Sequence, residues 1–187
     1  TPPQASAHGG NQMPRARVRY LVVDDFESYN EIPADQEGSN LVYMTWIDGF
    51  DNPSVNGSTM GYTAAFQPSM EKSIVHDGSQ SAPLFYDNTT ATYSEVTANI
   101  ANLGVGRDWT EHSIKALTLP FSGDPTNAVQ QMYIKLNGTK VPYDGSADDT
   151  RRGGWQMWYV DLASTGVNLS NINELAIGFG RIGASGG

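Results

Sequence analysis

Apolar positions along this chain recur with the period of a strand rather than that of a helix. Short alternating runs are separated by Gly, Asn, Asp and Pro, and the 3.6-residue recurrence of an amphipathic helix is nearly absent. The pattern predicts strands over 15–25, 40–47, 81–87, 91–98, 115–121, 131–136, 139–143, 155–162 and 175–179. Asn137-Gly138, between two of these runs, is a two-residue hairpin signal. A strand sends successive side chains to opposite faces. In 155–162 this predicts Trp158, Val160 and Leu162 on a core face and Trp155, Met157 and Tyr159 on the other. By the same alternation Tyr133 and Lys135 fall on the outer face of their strand, and Leu175, Ile177 and Phe179 share one side of the last.

Many short strands with turn-rich punctuation, no internal repeat and no interior linker predict an all-β fold. The expected form is an antiparallel two-sheet sandwich of jelly-roll type over residues 20–187. Residues 1–19 read as an arm, flexible or strand-donating; the first 14 carry three Pro, two Gly and no apolar pattern. A chain of 187 residues is long enough to bury a core of its own. Zero cysteine rules out disulfides, thiolate nucleophiles and Cys-ligated metals. Net charge −9 argues against a nucleic-acid partner, whose phosphates need Lys and Arg. No apolar run approaches the ~20 residues of a membrane span. The opening Thr-Pro-Pro, with no charged apolar leader, fits a processed export product, so the expected location is secreted, extracellular or at the cell surface. Four Asn-x-Ser/Thr triplets, at Asn56, Asn88, Asn137 and Asn168, read as turn chemistry rather than glycosylation.

The residues offer little to catalysis. His8, His76 and His112 are far apart, with no Gly-x-Ser-x-Gly elbow and no His-Glu-x-x-His. Asp24, Asp25, Glu27, Asp48 and Asp51 supply carboxylates but lack the same-strand Glu-x-Asp-x-x-Glu spacing of glucanases, so they read as solvated strand ends and the chain as no enzyme. Aromatic residues make the stronger argument, because the apolar C–H face of a sugar lies on Trp or Tyr while polar neighbours read its hydroxyls. Trp155, Tyr159 and Tyr133, with Arg151 and Arg152 just upstream of the first, are the candidate glycan-binding set, and polysaccharide is the expected partner. A second possibility lies in the arm. Arg15, Arg17 and Arg19 alternate with apolar residues including Val18, leaving 8 basic residues against 20 acidic ones in the remainder, a charge of −12. A basic, strand-competent arm on an acidic sandwich suggests strand addition to a copy of itself, and head-to-tail contacts of that kind build filaments.

Several segments resemble a family of secreted bacterial β-sandwich modules similar to laminin-G-like and carbohydrate-binding jelly rolls. They are Val23-Asp24-Asp25-Phe26-Glu27-Ser28-Tyr29, Thr45-Trp46-Ile47-Asp48-Gly49-Phe50, Ile74-Val75-His76-Asp77-Gly78-Ser79-Gln80-Ser81 and Leu84-Phe85-Tyr86-Asp87-Asn88. Asp108-Trp109-Thr110, the run from Trp155 to Leu162, and Ile177-Gly178-Phe179-Gly180 continue the likeness over roughly residues 21–183. It implies a jelly roll, an extracellular setting and a structural Ca²⁺ held between the first strand, the Gly turn and a final strand. Asp25, Glu27, Asp77 and Gln80 match the first two of these parts. Such modules continue past a loop like Gly183 to Gly187 into that final strand, which bears an Asp-Asp pair. Without the strand, an open edge is expected to invite another chain.

Overall fold

The computed structural model describes residues 20–63 and 65–180. Among these residues nine strands form: β1 (Trp46–Ile47), β2 (Ser58–Met60), β3 (Leu84–Tyr86), β4 (Tyr93–Asn99), β5 (Ala116–Ser122), β6 (Gln131–Leu136), β7 (Thr139–Pro142), β8 (Trp155–Asp161) and β9 (Glu174–Gly180). They make a five-stranded sheet in the order β1-β4-β9-β6-β7 and two ribbons, β2-β3 and β5-β8. Every pairing between these strands is antiparallel. The chain is all-β, with antiparallel sheets in a sandwich-like arrangement.

Alternation decides what is buried. In β4, Ser94, Val96 and Ala98 are buried, whereas Tyr93, Glu95 and Thr97 are only partly covered. Met132, Ile134 and Leu136 of β6 and Leu175, Ile177 and Phe179 of β9 join Val96 in one core with Trp158 and Val160 of β8. Central strand β9 departs from two-faced behaviour, since Ala176, Gly178 and Gly180 on its second face are buried too. Gly178 is paired with Tyr133, and a Cβ there would run into the Tyr133 ring. A missing side chain on β9 thus makes room for a large one on β6.

The first predicted strand does not form over residues 20–25, and its earlier part, like the whole arm, lies outside the described residues. The reason is local. Asp24 turns its carboxylate toward the core, accepting from Tyr29 Oη at 2.6 Å, Trp46 Nε1 at 2.8 Å and the Phe26 amide at 2.9 Å. Asp25 accepts from the Glu27 amide, and Phe26 is left-handed at φ 61°. The chain therefore turns where an extended run was expected. Residues 40–47 also differ, because a single helical turn, α1 (Val42–Thr45), precedes β1. Val42 and Trp46 are both buried while Met44, which alternation would place on the same face, is exposed, and that pattern suits a helical turn and not an alternating strand. The short β2 has no counterpart among the expected strands. No described helix is long and apolar enough to cross a membrane.

Three of the four Asn-x-Ser/Thr asparagines have structural partners in the fold. Asn56 Nδ2 donates to the Glu95 carbonyl and Asn56 Oδ1 accepts from the Glu95 amide, both at 2.8 Å, so one side chain pairs with β4 as a strand would. Asn88 Nδ2 donates to the Phe179 carbonyl, and Asn137 spans the Asn171 carbonyl and the Asn173 amide. Among the described residues, the Asn168 side chain bonds to Ser170 alone, two residues on. Replacing Asn56 with Ala strips both backbone groups of Glu95 of a partner and is expected to cost about 1–3 kcal/mol. Asn168→Ala should stay within about 0.5 kcal/mol. Urea unfolding of the two variants beside the parent measures both.

Candidate functional site

Strand β8 carries the outward surface that the sequence picks out. With Trp158 and Val160 drawn into the core, Trp155, Met157 and Tyr159 stand on the opposite side, where Tyr159 is 64% exposed. Across the ribbon they face small or inert neighbours on β5: Tyr159 pairs with Thr118, Met157 with Pro120 and Trp155 with Ser122. Trp155 is half-buried because the His76 ring meets it edge-on, with centroids 5.2 Å apart. His76 thus flanks the strip, while His8 and the side chain of His112 lie outside what is described.

The two arginines are exposed and lean on their own turn. Arg152 Nη1 lies 2.9 Å from Asp149 Oδ1, and Arg151 reaches the Pro125 carbonyl at 3.5 Å. Asp149 also accepts from the Tyr143 hydroxyl; burial, with that carboxylate behind it, pushes the phenol up to about 12. Arg152 therefore has a structural partner as well as an exposed position beside β8.

Tyr133 sits elsewhere. It faces away from the core, as alternation requires, but it is fully buried and offers no ring to a ligand. Its ring lies over Gly178, its hydroxyl donates to Glu95 Oε2 at 2.9 Å, and Lys140 Nζ caps the ring 3.9 Å from its centroid. Lys135 completes the cluster with an ion pair to Glu95 at 2.8 Å. Burial first, then the Glu95 charge, holds the phenol above its ordinary range. Expectation and structure part here because a Gly on the neighbouring strand opened a socket that one strand's own pattern cannot reveal.

The four residues matched to a calcium site do not come together as ligands. Glu27 and Gln80 meet, but through donors: Glu27 accepts from the Ser79 amide, the Ser79 hydroxyl and the Gln80 amide. Gln80 Nε2 donates to the Phe26 and Tyr29 carbonyls at 2.7 and 2.9 Å. Asp25 caps its own turn, and no hydrogen bond ties the exposed Asp77 to this cluster. Among the described residues no group of three or more Asp, Glu or His gathers at this or any other place. Ca²⁺ wants six to eight oxygens, and here the oxygens of Glu27, Phe26 and Tyr29 already face N–H or O–H donors, so the arrangement does not fit the ion. It is a clasp between the 24–29 turn and the 77–80 turn. Gly78 is left-handed at φ 72°, a conformation that favours glycine, and a Cβ there would push the Glu27 carboxylate out of the clasp.

One surface escapes the sequence pattern. Tyr43, from α1, stacks on Tyr62 at 4.6 Å between centroids, and Phe50 stacks on the same Tyr62 at 5.2 Å. Phe66 closes the group, set at 68° to Phe50. Phe50 and Phe66 are exposed. No periodicity unites positions 43, 50, 62 and 66; the only available signal was the density of aromatic residues among Gly, Asn and Asp in this stretch.

Compared with known proteins, the chain matches no family model and no curated protein.

The clasp generates a pH test. Hydrogen bonds from Ser79 lower the Glu27 carboxyl below its ordinary value of 4.5. A depressed folded-state pKa means that the stability it supplies is complete above that value and lost as pH falls through the folded pKa. Thermal melts between about pH 5 and about pH 3 should therefore decline less steeply for Glu27→Gln than for the parent. Parallel curves would show that the clasp contributes nothing to acid sensitivity.

Proposed function

We propose that this chain is a non-catalytic, extracellular glycan-binding or matrix-associating module whose ligand lies along β8. The observation that carries the reading is the outer face of the β5-β8 ribbon. Tyr159 and Met157 are exposed on a strand whose alternate residues, Trp158 and Val160, are locked in the core. Such a strand holds its outward side chains at fixed spacing and loses little further freedom when a ligand arrives. Polar groups able to read hydroxyls lie close in sequence or space: Arg151 and Arg152 upstream, Thr118 opposite Tyr159, and His76 against Trp155. The resemblance of several segments to carbohydrate-binding jelly rolls points the same way.

Affinity electrophoresis through a panel of neutral polysaccharides tests the reading. Tyr159→Ala should weaken retention about tenfold while leaving the melting temperature nearly unchanged, since the ring is mostly in water. Unaltered retention, or no retention of the parent on any polysaccharide, would sink it.

A second reading, assembly by strand donation from the segment holding Arg15, Arg17, Val18 and Arg19, has one observation in its favour. Neither outer edge of the β5-β8 ribbon is paired with another described strand, and an open edge accepts a strand in trans. That segment lies outside the described residues. Filaments of the whole chain that vanish on deleting residues 1–19 would favour this reading; monomers by electron microscopy would exclude it.

A further inference from the structure

The Tyr43, Tyr62, Phe50 and Phe66 face has no part in the β8 surface, and three observations together say what it takes. The first is exposure in an aromatic group already stacked. Tyr62 is sandwiched between Tyr43 and Phe50, yet Phe50 and Phe66 present 45% and 59% of their surface to water. The second is backbone cost. Phe66 is left-handed at φ 56°, a conformation that disfavours bulky residues and suits Gly. The loop imposes it. The Phe66 amide donates to the Thr63 carbonyl, the Thr63 amide to the Gln67 carbonyl, and a bridge joins Tyr62 to Pro68. Strain of this kind persists only where the surrounding structure over-determines it, and it clusters at ligand-binding sites.

The third is charge. Residues 20–71 contain nine Asp and Glu and no Lys or Arg, so this stretch alone accounts for a charge of −9. Two of those acids lie at the stack. Burial first, then the charge of Asp48 with lesser contributions from Tyr43 and Asp51, opposes ionisation of the Tyr62 hydroxyl. Asp48 accepts from the Phe50 and Met60 amides and is half-buried, whereas Asp51 is exposed. Ring faces are themselves negative and attract cations, so they add to the charge of the two carboxylates. Asp48 and Asp51 make this face unfavourable for uronates, sulfated sugars and anionic lipid.

Resting on the glycan-binding reading above, we propose that this face is a second glycan site selective for sugars bearing free amines, of the poly-glucosamine type. The flat C–H side of one sugar lies on Phe66, the more exposed ring, against the neighbouring Phe50, while its ammonium group is drawn to Asp51.

Calorimetric titration of the full chain with the hexasaccharides of glucosamine and of N-acetylglucosamine tests this, since the two differ only in charge and acetylation. The glucosamine hexamer should bind about tenfold more tightly, and the margin should shrink as salt rises. Phe66→Gly should cut its affinity about tenfold with the melting temperature held or raised, because Gly relieves the left-handed strain. Asp51→Asn should erase most of the margin between the hexamers, and Tyr159→Ala should leave that margin intact. Equal affinity for both hexamers overturns the amine selectivity and leaves glycan binding standing. Retention on neutral polysaccharide through Tyr159 with neither hexamer bound overturns the second site alone. An Arg-rich peptide that binds this face where neither hexamer does makes it a peptide dock and overturns the proposal.

Discussion

Every buried backbone N–H and C=O needs a partner, and in this molecule regular ladders supply too few. The strands run from two to seven residues and are joined by long loops, with no cysteine to tie them covalently. Side chains of Asn and Asp make up the difference. Asn56 stands in for a strand beside Glu95, Asn88 anchors the end of β9, and Asn137 fastens the β6-β7 hairpin to the loop before β9. Asn30 bonds to Ile32, Asn40 and Gly38 and holds the 30–40 loop closed. Asp24 does the same for the first turn while satisfying the indole and phenol of two buried aromatics. A side-chain amide carries both donor and acceptor, which explains why Asn recurs where a strand stops short.

Seven of the nine strands were legible because a half-buried strand writes its period into the sequence. Tyr93–Asn99, Gln131–Leu136 and Trp155–Asp161 form close to where alternation placed them. Failure came where a second period or a tertiary bond competed. Val42 and Trp46 satisfy a helical spacing as well as an alternating one, and packing chose the helical turn. Residues 20–25 are apolar enough for a strand, but the pull of Trp46 and Tyr29 on Asp24 bends them. β2 is three residues long, too short for any period to show.

The candidate surfaces divide along the same line. Trp155, Met157 and Tyr159 could be read from one strand, because their outward placement follows from the burial of Trp158 and Val160 on its other face. The burial of Tyr133 could not, since it depends on a glycine in β9 and a lysine in β7. Nor could the stack of Tyr43, Phe50, Tyr62 and Phe66, which gathers residues from a helical turn and two loops. Local pattern reports the face on which a residue stands, and only the assembled fold reports what leans over it.

Strand β8 is also a ruler. At ~3.3 Å of rise per residue, the rings of Trp155 and Tyr159 are anchored about 13 Å apart. On the glycan-binding proposal, a single sugar would engage one of them, whereas an extended oligomer would reach both, its second contact forming within one complex at high effective concentration. Affinity should therefore climb with ligand length until that span is covered and then level off, so that the register of one strand sets the shortest chain the surface can hold well.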